Sequence, residues 1–220
     1  MDTNADVVVL CKWWYNFGGM KDSLRAVWRW VKWPLYILAA GYALLVIYDV
    51  QRLFDIDKTN EAVAAIHAQK ITLADVQGTN LPPIPDQAEN DATIAGVDKN
   101  NNGIRDDVEL AIFKKYPNSA KIRAAELQYA MATQLMLTKV TNSETWIAAA
   151  EETSRGNACI GLTIPDKNLK TYIARSEEVE ELVRNTSERK IANDKAYDFT
   201  TSFGLPNTDI CNVKLDTLPN

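Results

Sequence analysis

Residues 33–48 read WPLYILAAGYALLVIY and contain neither a charged nor a strongly polar side chain. Such a run can satisfy its backbone groups internally as a helix in lipid. At about 1.5 Å rise per residue it spans roughly 24 Å, somewhat less than a hydrocarbon core of about 30 Å. Flanking Trp, Tyr and Lys side chains can reach the two interfaces and cover the difference. The stretch therefore predicts a transmembrane helix over 33–48, with a lipid bilayer as its partner.

Basic residues concentrate on the N-terminal side of this span and set its predicted orientation. Residues 1–48 carry five Lys or Arg and three Asp, whereas the rest of the chain carries 19 basic and 26 acidic residues. Cytoplasmic flanks of membrane helices are enriched in Lys and Arg. Residues 1–32 are therefore predicted to be cytoplasmic, and the chain beyond the span is predicted to lie in the periplasm, as in a bacterial inner-membrane protein.

Other interpretations of the N-terminal region are open. A cleaved signal peptide is disfavoured, because about 32 residues precede the run and no small-x-small pattern ends it. A buried core helix is the second alternative, since apolar runs this short also occur inside soluble proteins. Basic residues at helical spacing ahead of the span predict an amphipathic helix in the membrane interface, although a plain basic juxtamembrane segment explains them equally well: Lys21, Arg25, Arg29 and Lys32.

The chain after the span divides by composition into three parts. Residues 49–76 are predicted to form a helical stalk, and residues 77–97 a Pro-containing linker or a loop wrapped over the domain, because proline interrupts regular structure. Residues 98–220 are predicted to form a helical domain. Apolar spacing and N-cap residues predict its helices over about 107–116, 119–139, 142–155 and 166–190, followed by an irregular C-terminus.

Residues 98–109 read DKNNNGIRDDVE and fit the pattern D-x-[DN]-x-[DN]-G-x5-E position for position. Calcium takes six to eight oxygen ligands, which a short loop supplies when oxygens recur on alternate residues around a sharp turn. Gly103 stands where the turn is needed. The predicted cofactor is Ca²⁺, held by side-chain oxygens and by one backbone carbonyl, that of Ile104. The side-chain ligands are Asp98, Asn100, Asn102, Asp106 and Glu109.

In these residues the segment resembles the EF-hand calcium loop, and it is similar to loops of extracellular bacterial proteins and of dockerin and thrombospondin-type repeats. The resemblance covers about a dozen residues of 220. The sequence departs from the family at Arg105, where the family has an aliphatic residue that pairs with a second hand. It also departs before the loop, because the segment from Pro85 to Gly96 is too short and interrupted to form an entering helix. The resemblance therefore implies a lone structural site rather than a calmodulin-like switch. The alternative is an Asx-rich turn in which Asp106 caps a helix beginning at Asp107.

Two of the three cysteines, Cys159 and Cys211, fall on the predicted outer side, and Cys11 falls on the inner side. An oxidising compartment favours a disulfide between the outer pair. Closing a loop of about fifty residues would stabilise the fold by ~4 kcal/mol in the chain-entropy model. The bond would tie the C-terminal tail to the third helix of the domain; the alternative is two separate thiols.

Charge and motif content narrow the functional classes. A balance of 24 Lys+Arg against 29 Asp+Glu argues against a broad nucleic-acid surface. His67 is the sole histidine, and the sequence contains no Gly-rich phosphate loop, HExxH or CxxC motif. The acidic pairs at 151–152 and 177–181 could in principle serve glycosidic chemistry, although acidic helix faces are usually just solvated.

These observations predict an all-α protein with a single N-terminal transmembrane helix and a small helical extracytoplasmic domain containing one calcium loop. The predicted function is non-catalytic: a membrane-anchored periplasmic domain, made rigid by calcium and a disulfide, that binds or neutralises an envelope protein. An accessory subunit of a membrane complex and a peptidoglycan-acting hydrolase are the two alternatives.

Overall fold

The computed structural model describes residues 4–204 and 209–219, with side chains from Val27 onward. Every regular element in these residues is helical, which confirms the predicted all-α fold class. The chain divides into two compact units, Met1–Asp57 and Lys58–Asn220.

Helix α1 extends over Asn4–Ala68 and dominates the first unit. Its Val27–Ala68 part contains a stretch that is long and apolar enough to cross a membrane, and none of that stretch is buried. Every side chain of residues 33–48 is exposed. Pro34 lies inside the helix. It removes one intrahelical hydrogen-bond donor, a loss that membrane helices tolerate. The predicted amphipathic face over 21–32 begins outside the described side chains.

Helix α5, Ala120–Lys139, is the centre of the second unit. Its residues from Arg123 to Leu137 are buried without interruption. A helix enclosed on all sides must be apolar or have partners for its polar groups. Around α5 pack α2 (Leu73–Gln77), α4 (Asp106–Lys115), α6 (Ser143–Leu162), α7 (Leu169–Val183) and α8 (Ser187–Tyr197). Short 3-10 turns lie at Pro165–Lys167 and Leu215–Thr217.

The local capping signals explain where these helices begin. Ser119 is the N-cap of α5, where Asn118 or Ser119 was predicted, and Asn142 is the N-cap of α6, where Asn142 or Ser143 was predicted. Each accepts a backbone N–H three residues on. α6 extends about two turns beyond its predicted end. The single helix predicted over 166–190 is wrong: Thr186 accepts the Arg189 N–H and caps a new helix, so α7 and α8 are separate.

The predicted stalk over 49–76 is not a separate element. α1 ends at Ala68, and its last residues belong to the second unit together with α2. Ile66, Ile71 and Val76 are buried in the core of that unit. Removing their apolar surface from water favours this packing.

The predicted linker over 77–97 is the loop wrapped over the domain. It contains the short helix α3, Gln87–Asp91. The fully buried Arg189 guanidinium donates to the backbone carbonyls of Asn90, Thr93 and Ile94. These charge-assisted hydrogen bonds fasten the segment to α8.

A disulfide joins Cys159 of α6 to Cys211 near the C-terminus, with Cα atoms 5.3 Å apart, which confirms the predicted pairing. The segment beside it is also held by hydrogen bonds. Gln128 donates to the Ile210 carbonyl and accepts the Asn212 N–H, both at 2.8 Å. The C-terminal segment is thereby fixed across α5 and α6.

Candidate metal site

The predicted calcium loop lies between α3 and α4, and its turn is held by its own first residue. The two carboxylate oxygens of Asp98 accept the backbone N–H groups of Asn102 (3.2 Å) and Gly103 (2.9 Å). Gly103 has a φ of +82°, a conformation that glycine adopts without steric penalty. The Gln69 amide closes over the turn by donating to the Asn102 carbonyl at 2.9 Å. The chain therefore turns sharply at the place where the pattern requires it.

Two acidic residues enter the loop from the first turn of α4. Asp106 begins the helix, and its Oδ1 accepts the Lys99 N–H at 3.0 Å. Glu109 accepts the Asn100 side-chain amide through Oε2 at 3.0 Å. Both acidic residues are completely buried. The alternative in which Asp106 caps α4 is not observed, since the N-cap position is Arg105 and has no side-chain cap bond.

Buried polar atoms without partners concentrate in this loop. Three are oxygens of predicted ligands: Asn100 Oδ1, Asp106 Oδ2 and Glu109 Oε1. A buried polar atom that lacks a hydrogen bond costs about 1–3 kcal/mol. Amide and carboxylate oxygens are the ligands that calcium prefers, so the chemistry of these unpartnered atoms fits a bound cation.

Asn102 and Ile104 are placed differently from the other predicted ligands. The Asn102 Oδ1 accepts the Ile104 N–H at 2.9 Å, so its amide nitrogen is the atom left without a partner. An amide oxygen has two lone pairs, so the Asn102 Oδ1 can keep this hydrogen bond and still bind a cation. Among the described side chains, no group of three or more His, Cys, Asp or Glu is arranged to hold a metal ion. A calcium site here would depend on amide and carbonyl oxygens as well as carboxylates, and its assignment stays a prediction.

Burial and mutual repulsion disfavour the ionised forms of two carboxylates in the loop. Burial, with smaller contributions from the charges of Asp75 and Asp106, raises the pKa of Glu109 to about 7, although the Asn100 hydrogen bond opposes the shift. Burial also raises the pKa of Asp106, and the charge of Asp98 adds to the shift. A divalent cation would offset this repulsion.

A second group of residues that the sequence analysis missed supports the loop from α2. Thr72 and Asp75 form a capping box at the start of α2, and Asp75 accepts the Asn80 amide at 2.9 Å. Burial opposes ionisation of Asp75, but the hydrogen bonds from Thr72 and Asn80 outweigh it and lower its pKa. The Asn80 carbonyl in turn accepts the Asn100 amide at 3.1 Å. The Thr-x-x-Asp spacing is a capping signal that could have revealed α2.

Several of the acidic residues considered for glycosidic chemistry form ion pairs. Glu152 is buried and receives Arg155 at 2.6 Å, Lys70 at 3.1 Å and the His67 Nδ1 at 3.1 Å. On α7, Glu178 pairs with Lys115. These contacts are typical of carboxylates that fasten helices together.

Glu180, also on α7, is held from two sides. It accepts the Tyr129 hydroxyl at 2.5 Å and pairs with Arg184.

Comparison of the chain with protein-family models, with curated proteins and with solved structures finds no match.

Proposed function

We propose that this chain is a non-catalytic interaction protein of the bacterial envelope, anchored in the inner membrane by α1. Residues 1–32 lie in the cytoplasm, residues 33–48 span the bilayer, and the helical unit Lys58–Asn220 lies in the periplasm. There it binds or neutralises an envelope protein, which the surface of the helical unit selects.

The observation that carries this proposal is a disulfide on the C-terminal side of an exposed, span-length apolar helix. Structural disulfides persist in oxidising compartments and are rare in the cytosol. A surface as apolar as residues 33–48 is stable in lipid and promotes association in water. The excess of basic residues before the span agrees with a cytoplasmic N-terminus.

Calcium and the disulfide have a shared role in this proposal. The bond between Cys159 and Cys211 restrains the C-terminal segment, and calcium in the 98–109 loop neutralises the buried Asp106 and Glu109 carboxylates. Both constraints lower the conformational freedom of a small domain, and a rigid surface loses less entropy when it binds a partner.

The experiment that tests the function is site-directed cross-linking of the tagged full chain in intact cells. A matched variant replaces residues 33–48 with an unrelated apolar span of equal length. We expect one cross-linked envelope protein that persists in this variant, because the contact lies on the helical unit.

Two outcomes contradict the interaction proposal. Loss of the cross-link in the span variant would favour the accessory subunit, whose contacts lie in the membrane. Lytic bands from the purified full chain on cell-wall material would favour the hydrolase, provided that the Glu152→Gln variant removes them.

A further inference from the structure

Arg105 occupies place eight of the loop, between the predicted ligands Ile104 and Asp106, and its side chain is completely buried. Its guanidinium donates to the carbonyls of Leu182 at 2.7 Å and Val183 at 3.0 Å, which end α7. It also contacts both carboxylate oxygens of Asp107, at 2.5 and 3.1 Å. The Arg105 guanidinium therefore has fixed partners both within the loop, at Asp107, and on α7, at Leu182, which is 77 residues away in the chain.

The chain leaves room for this side chain just ahead of the loop. Gly96 has a φ of +68°, and a Cβ atom there would lie 2.2 Å from the Arg105 Cδ and 2.7 Å from its Cγ. Only glycine combines this backbone conformation with so close an approach. The aliphatic stem of Arg105 thus packs against the segment that enters the loop, while its charged end reaches α7.

The last carbonyls of a helix have no intrahelical partners and carry the negative end of the helix dipole. The planar guanidinium presents several donors in a rigid fork and can bond two such carbonyls together. Lysine has a single ammonium group and cannot reproduce that arrangement.

We propose that Arg105 is the positioning residue of the calcium loop, holding its exiting half against the C-terminal end of α7. In this way it takes the role that pairing with a second hand has in the EF-hand proteins that the loop resembles. Because its neighbours Ile104 and Asp106 are both predicted ligands, fixing Arg105 places two ligands before calcium arrives and lowers the entropy lost on binding. The inference rests on the calcium site of the proposed function.

Linkage makes the effect reciprocal: if the contact between Arg105 and α7 favours calcium binding, bound calcium must stabilise that contact equally. The amides at the end of α7, from Val183 to Ser187, should then exchange more slowly with solvent when calcium is present. A loop without this contact would protect only its own residues.

The test is calcium titration of the full chain in detergent, with Arg105→Met and Arg105→Lys compared with the wild type. We expect Arg105→Met to weaken calcium binding by about tenfold or more, within the usual range of coupling between sites. Arg105→Lys should weaken it less. Arg189→Met is the matched control, because Arg189 is an equally buried arginine that bonds backbone carbonyls outside the loop. It should lower the melting temperature and leave calcium affinity unchanged.

Hydrogen exchange of the wild type with and without calcium gives the second readout and requires no variant to fold. Slower exchange over 183–187 with calcium supports the inference; unchanged exchange there overturns it. Wild-type calcium affinity in Arg105→Met, or equal weakening in Arg189→Met, overturns the role of Arg105 and leaves the metal site intact. Absence of calcium uptake by the wild type overturns the metal site itself and this inference with it.

Discussion

Replacing Glu109 with glutamine is expected to stabilise the helical unit in calcium-free buffer and to abolish its response to calcium. The reason is the buried charge. The pKa of Glu109 is raised from 4.5 to about 7 in the folded chain, and each pKa unit corresponds to about 1.4 kcal/mol. Ionising Glu109 in the folded state therefore costs about 3 kcal/mol, and glutamine, which keeps the shape of the side chain, avoids this cost.

The sign of the pH dependence follows from the same pKa. Below pH 4.5 Glu109 is protonated in the folded and unfolded chains, so it makes no difference to stability. Between pH 4.5 and about 7 Glu109 is ionised in the unfolded chain but still protonated in the folded chain. The free energy of unfolding therefore falls as the pH rises. Above pH 7 the loss is complete. The calcium-free wild type should show this decline, and Glu109→Gln should lack it.

The assay is thermal unfolding of the full chain in detergent at pH 8, followed by circular dichroism with chelator or with calcium. For a domain of this size, about 3 kcal/mol corresponds to roughly 6–12 °C in melting temperature. Calcium at a hundredfold excess over its Kd should raise the free energy of unfolding of the wild type by about 2.7 kcal/mol. It should leave that of the variant unchanged. Glu177→Gln, on an exposed position of α7, is the matched control and should change neither quantity.

A Glu109→Gln variant that is less stable than the wild type at pH 8 without calcium, together with no change in either melting temperature when calcium is added, would refute the predicted cost of the buried charge. That result would mean that the carboxylate is stabilised by protein contacts alone and that the loop is an Asx-rich turn.

Three further predictions concern the packing of the helical unit. Replacing Cys159 and Cys211 together with serine should lower its free energy of unfolding by ~4 kcal/mol in the chain-entropy model, measured by denaturant titration. Gly96→Ala should destabilise it by about 1–3 kcal/mol, because the new methyl group meets a buried arginine stem in a left-handed backbone conformation. Glu126→Gln should cost about 3–5 kcal/mol, because it leaves the Arg175 partner of a buried ion pair without its counter-charge.

Each of these predictions has a control. Alkylation of the denatured, unreduced wild type should label one of its three cysteines, and labelling of all three would exclude the disulfide. Gly161→Ala places its methyl group 3.7 Å from Tyr172, an ordinary contact, and should be harmless. Replacing Glu126 and Arg175 together with apolar residues should cost less than the single change, and an equal cost would contradict the ion-pair explanation.

The features that the sequence predicted are those with a local signal. The apolar run at 33–48 and the turn at Gly103 depend on neighbouring residues, so the pattern alone places them. For the same reason it places the N-caps Ser119 and Asn142 to within one residue. The cysteine pairing was predictable because only two cysteines follow the span.

The features that were missed depend on contacts between distant segments. Nothing local indicates that Arg105 and Arg189 bond carbonyls 77 to 99 residues away. The burial of Ile66 likewise depends on which helices pack beside it, so an isolated stalk was the natural prediction. The break between α7 and α8 did have a local signal, the cap at Thr186, but the continuing helical periodicity of apolar residues obscured it.

The most direct test of the account is the side of the membrane on which the helical unit lies. A phosphatase that is active only after export would be fused behind Asn220 in one strain, and a fluorescent protein that matures only in the cytosol in another. The account predicts phosphatase activity without fluorescence. Fluorescence without phosphatase activity would place the helical unit in the cytosol and contradict the periplasmic role proposed for it.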